Sequence, residues 1–138
     1  MLMRIGLPGL LLLVLVSTAS AGGTNPNTAA ATATVTGSVS YRARIALPAD
    51  ALVVVQLRDV SLMDVAARLI SEQTIKPQHS VPIPFSLAYN PEEIDARRTY
   101  AIFATIRSEG RLLFVTDSSY QVLTRGHPHH IDLLLIQP

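Results

Sequence analysis

The sequence predicts an exported all-β protein, built as one antiparallel β-sandwich of about seven strands. Three observations lead there. From residue 35 onward, apolar and polar residues alternate with period two, as half-buried strands require. Turn-forming Gly, Pro, Asn and Asp interrupt that alternation at intervals of about ten residues, the rhythm of sandwiches and small barrels. Cysteine is absent, so core packing alone must hold the domain together.

The chain of 138 residues has room for one domain. Its first segment reads as a signal peptide, residues 1–21. Arg4 supplies the positive start, residues 5–16 are apolar, and Ala19-Ser20-Ala21 fits the small-x-small cleavage pattern. Cleavage is expected after Ala21, with Ala19 and Ala21 as the recognised small residues. The apolar run falls well short of the roughly 20 residues that span a bilayer. Export to the periplasm follows. Without a cysteine, no acyl anchor can be attached by the lipoprotein route, so outer-membrane association would need other means. Residues 22–34 are small, polar and uncharged. Such a segment buries too little to offset its ordering entropy, and it reads as a flexible linker ahead of a domain at 35–138.

The first strand is expected over residues 35–47, with Val35, Gly37, Val39, Tyr41, Ala43, Ile45 and Leu47 on one face. Pro48-Ala49-Asp50 ends it. Residues 52–60 form a β-branched run with Val53, Val55 and Leu57 on one face and Gln56 and Arg58 opposite. After a break near Asp64, residues 66–75 resume as a strand. A helix over residues 62–73 is the rival, and Ile70 and Ile75 fall off the stripe it would need. Residues 81–89 alternate as Val81, Ile83, Phe85, Leu87 and Tyr89, with Pro82 and Pro84 opposite. Proline cannot donate to a ladder, so this strand belongs at a sheet edge. Asn90 and Pro91 suit the start of one helical turn. Residues 99–107 and 111–117 form a hairpin around Ser108-Glu109-Gly110, with residues 120–123 extending it after a kink. Residues 131–136 form the last strand.

Charge excludes several classes of function. Without Arg4, basic and acidic residues balance at ten each, and no basic run exists to hold nucleic acid or an anionic membrane. Cysteine chemistry is excluded with the cysteines. His127-Pro128-His129-His130 offers three imidazoles, the commonest metal ligands. Adjacent residues rarely point at one ion, and the segment reads as a polar turn. Ser118 and Ser119 lie beside Asp117 but outside any nucleophile elbow. Glu92 and Glu93 read as first-turn acids rather than an acid–base pair. Arg97-Arg98, flanked by Asp95, reads as solvated. No phosphate loop or cofactor motif appears. The residues therefore point to no catalytic, cofactor or metal site. The functional lead is the Pro-spaced strand near Phe85 and Tyr89, which could receive a partner segment if those residues are not simply core.

The domain resembles the YbaY-type bacterial lipoproteins and the related YscW-type pilotins, the lipoprotein chaperones of type III secretion. The residues that carry the resemblance run in order along the chain. They include Val35-Thr36-Gly37-Ser38-Val39-Ser40-Tyr41-Arg42, Val55-Gln56-Leu57-Arg58-Asp59-Val60-Ser61, Val81-Pro82-Ile83-Pro84-Phe85 and Arg111-Leu112-Leu113-Phe114-Val115-Thr116-Asp117. The resemblance implies a periplasmic β-sandwich without catalysis. It also implies a protein partner: a secretin, the ring-shaped outer-membrane channel whose localisation or assembly a pilotin assists. The YbaY-type branch implies a general envelope protein without a secretin partner.

Overall fold

The computed structural model describes residues 32–138. The signal peptide, its cleavage residues Ala19 and Ala21, and nearly all of the linker lie outside them. Eight strands follow in order: β1 (Ala33–Tyr41), β2 (Leu52–Asp59), β3 (Arg68–Ile75), β4 (Ile83–Tyr89), β5 (Tyr100–Ser108), β6 (Arg111–Val115), β7 (Tyr120–Val122) and β8 (His130–Leu135). A single 3-10 turn, Pro91–Glu93, precedes β5. Among the described residues, no helix is long and apolar enough to cross a membrane.

The strands form two facing sheets. One has the order β4-β1-β8, the other β3-β2-β5-β6, with β7 also pairing β5. Odd-numbered residues of β1, β2 and β4 face inward, as the alternation requires. The core joins Val35, Val39, Val53, Val55, Leu57, Phe85, Leu87, Tyr100, Ile102, Ile106, Phe114 and Leu133, all nearly free of solvent. Tyr41 and Phe114 stack within it, ring centroids 4.0 Å apart.

Several expectations are corrected. The first strand starts at Ala33, inside the segment read as linker, because Ala33 and Thr34 pair with Tyr89 and Ala88. It stops at Tyr41, where β8 runs out at Leu135. The chain bends at Arg42 and Ala43 and continues without a ladder, and the Tyr41 hydroxyl donates to the Ile45 carbonyl at 2.8 Å. Residues 120–123 do not prolong β6. They return to another stretch of the same β5 edge, pairing Tyr120–Val122 with Ile102–Tyr100, which makes eight strands rather than seven. Every ladder is antiparallel, as expected, except that β1 and β8 run parallel.

One end of the sandwich, the near end, carries the β2–β3, β4–β5 and β7–β8 connections. The far end carries the β1–β2 and β3–β4 loops and the β5–β6 turn.

Candidate partner-binding surface

Sheet edges are the usual templates for strand addition, so their state limits how a partner can bind. The outer β4 edge is short of one donor. The Ala88 carbonyl accepts from the Ser71 hydroxyl of β3, so even-numbered backbone groups of β4 face away from β1. Pro84 shares that parity, and its missing N–H falls on the free edge. The same Ser71 bond bridges β3 and β4 at one point, without a ladder between them. On the opposite side, the Tyr120 hydroxyl donates to the Leu134 carbonyl and accepts from the Leu134 N–H, both at 3.1 Å. Val115 and Ile136 exchange two backbone bonds of 2.9 Å next to it. The outer β8 edge is thereby occupied along its second half.

Phe85 and Tyr89, named above as candidate contacts, are core residues with 4% and 8% exposure. Strand addition at β4 is therefore poorly supported. The edge placement of β4 and the core reading of its alternate residues both hold.

Exposed apolar side chains instead collect at the near end. In the β2–β3 loop, Leu62, Met63 and Val65 are exposed, Met63 to 95%, and Leu69 follows at the start of β3. A loop carrying three large apolar tips gains nothing from that exposure in isolation, and such patches mark interaction sites. The root of this loop is rigidly tied. Asp59, buried at the end of β2, accepts from the Ser61 N–H at 2.9 Å and the Ser61 hydroxyl at 2.6 Å. Its other oxygen accepts from the Arg98 guanidinium at 2.9 Å. The Ser61 hydroxyl oxygen accepts in turn from the Thr99 N–H at 2.8 Å. Burial pushes the Asp59 carboxyl upward. The Ser61 hydrogen bonds and the Arg98 guanidinium together outweigh it, holding the carboxyl below its ordinary value. A small hollow of about 180 Å³ opens at this root, lined by Asp59, Leu62, Val65, Ala66, Arg68 and Arg98.

The remaining sequence candidates scatter. Glu92 and Glu93 sit in the 3-10 turn, capped as expected by Asn90, whose side chain accepts from the Glu92 N–H at 2.9 Å. Arg97 pairs with Asp95 in solvent, at 3.2 Å. Arg98, read as its solvated twin, turns inward to Asp59. The Ser118 hydroxyl bonds its neighbour Asp117, at 3.2 Å, beside an equally exposed Ser119. His127 and His129 lie in the β7–β8 connection, and His130 opens β8. The His130 Nδ1 lies 2.9 Å from the Thr36 hydroxyl, and its Nε2 lies 3.4 Å from Asp132. Among the described residues, no three His, Cys, Asp or Glu side chains are grouped to hold a metal ion.

A family model described as type III secretion system lipoprotein chaperone (YscW) matches residues 30–135, nearly the whole described domain. The chain belongs to this family. Among solved structures, this YscW-family chain is similar to an alternative pilotin from the type II secretion system of Vibrio cholerae. The two are 41% identical with a TM-score of 0.76, covering 78% of this chain and 98% of that one. Among curated proteins, it is 30% identical over 91 residues to the uncharacterized lipoprotein YbaY of Escherichia coli (strain K12). That match covers 65% of this chain and 48% of the relative, so the chain spans about half the length of the curated protein it matches. The resemblance read from the residues is thus the family membership, and the β-sandwich it implied is the observed fold.

The β2–β3 loop was the surface that sequence reading missed. Its signal was present. Between Asp59 and Arg68, Leu62, Met63 and Val65 occur without the polar partners that alternation supplies in the flanking strands.

Proposed function

We propose that this protein is a non-enzymatic periplasmic accessory that binds a secretin and assists its localisation or assembly in the outer membrane. The observation that carries this reading is the apolar β2–β3 loop, fastened at Asp59 and Ser61 on a YscW-family sandwich. Membership of a chaperone family favours protein binding over catalysis. The partner contact assigned to the loop is Leu62, Met63 and Val65. Burying one such side chain is worth about 1.5–3 kcal/mol, enough for three to dominate a small interface. The family model speaks for a type III secretin, and the similarity to a type II pilotin speaks for a type II one.

The test is capture of secretins from the same cell by the tagged full chain, followed by Leu62→Ser and Met63→Ser together. Capture of a type II or type III secretin, reduced at least tenfold by the double change with thermal stability intact, is the expected result. Failure to bind any secretin would refute the reading. It would leave the general envelope role that the YbaY similarity favours.

A further inference from the structure

The far end of the sandwich has a different chemistry from the near end. Arg42, Arg44, Lys76, Arg107 and Arg111 belong to its segments, the β1–β2 loop, the β3–β4 loop and the two arms of the β5–β6 hairpin, with Arg107 on the outer face of the β2–β5 sheet beside Val54 and Thr105. All five are exposed, and none joins a salt bridge among the described residues. Asp50 and Glu109 are the carboxylates at this end. Asp50 is already spent, accepting from the Ser108 hydroxyl at 2.6 Å and the Glu109 N–H at 3.1 Å. The sequence holds no basic run, yet the fold gathers half of the described cations at one pole, which corrects the expectation that nothing in this chain could hold an anionic membrane.

Apolar side chains stand among these cations. Ile45, Leu52 and Ile136 are all more than two-fifths exposed, and Leu52 lies directly across the ladder from Arg107. Two hollows each set one cation beside apolar side chains, with polar groups in both linings as well. The first, about 430 Å³, places Arg42 next to Ala43, Phe114, Leu135 and Ile136. The second, about 250 Å³, places Lys76 next to Ile75, Pro77, Pro82, Ile83 and Pro84. A purely acidic polypeptide would satisfy the cations but leave the apolar side chains uncovered. An anionic lipid satisfies both, with phosphate at the cation and hydrocarbon in the hollow.

We propose that the far end docks on the surface of an anionic phospholipid bilayer. Attachment of this kind needs no acyl-bearing cysteine, which this chain lacks. The assignment is independent of which protein the β2–β3 loop holds.

The experiment is co-sedimentation of the full chain with phosphatidylglycerol vesicles and, in parallel, with phosphatidylcholine vesicles. Binding is expected to the former, to weaken with salt, and to be slight to the latter. Each basic side chain near an anionic surface is worth about 1 kcal/mol, so Arg42→Gln with Arg44→Gln should weaken binding about thirtyfold. Arg97→Gln with Arg125→Gln removes the same charge from the near end and should change nothing. Equal losses for the two pairs, equal binding to both vesicles, or no binding to either would overturn the proposal. Tight binding to polyglutamate without binding to phosphatidylglycerol would make the occupant an acidic polypeptide and overturn it equally.

Discussion

Replacing Gly37 by alanine should unfold this domain far more readily than a single methyl suggests. Glycine in a strand interior is ordinarily a weakness, and alanine there should stabilise by about 0.5–1 kcal/mol. The structure reverses the sign. A Cβ at residue 37 would stand 1.7 Å from the Ile131 carbonyl oxygen and 2.9 Å from the Phe85 ring. The ring can shift by a few tenths of an ångström. The carbonyl cannot, because it belongs to the β8 backbone, which pairs Ile131 with Gly37. Relieving the clash means moving β8 off β1 by well over an ångström, enough to break the adjoining ladder bonds. Two or three bonds at about 1 kcal/mol each, with partial exposure of Leu133 and Leu135, give about 3–5 kcal/mol. Urea denaturation followed by circular dichroism measures it, with Gly37→Ala expected to melt at much lower denaturant. A Gly37→Ala protein as stable as the parent would refute the reasoning, and with it the close approach of β1 and β8.

Other measurements probe the fastened loop and the closed edge. Because the folded Asp59 carboxyl lies below its ordinary value of about 3.9, its contribution to stability is complete above about pH 4 and lost as pH falls through the folded value. Asp59→Asn should therefore cost about 1–2 kcal/mol near neutrality, Arg98 being half exposed, and flatten the acid side of the stability profile. An unchanged acid limb in chemical denaturation at pH 3–5 would contradict the role of Asp59. Tyr120→Phe removes the hydroxyl that holds both backbone groups of Leu134. It should cost about 1–2 kcal/mol in thermal denaturation and speed hydrogen exchange at the Leu134 amide. No change in that exchange would mean the β8 edge is protected by other groups.

Much of the fold was legible because burial writes itself into period two. Val53, Val55 and Leu57 of β2 and Ile83, Phe85, Leu87 and Tyr89 of β4 alternate so regularly that both strands could be read directly. Pro82 and Pro84 placed β4 at an edge for a sound chemical reason. The ladder partners were not legible. Ala43, Ile45 and Leu47 continue the alternation of β1 after its neighbours have ended, since a pattern of apolar residues records a face and not a partner. The parallel pairing of β1 with β8 depends on contacts 94 residues apart in sequence, where local pattern is silent. At the site, Arg97 and Arg98 were read as a pair because they are adjacent. Asp59 separates them, drawing one inward across 39 positions of sequence. The apolar loop escaped notice because exposed leucine and methionine look like core residues until a surface is drawn around them.

The pairing of β1 with β8 also governs when the domain can exist. One three-stranded sheet is assembled from β4, the first strand and the last strand, so its closure waits for residues 130–135. Contacts of such long range make folding slow, because loop entropy must be met before any of them forms. Until then β1 has β4 on one side and an open row of amides and carbonyls on the other, which is a template for pairing with a second chain. A chain interrupted after β7 would carry that template permanently, along with a core missing Leu133 and Leu135. Completion of the last strand is thus the step that separates the closed sandwich from an aggregation-prone fragment.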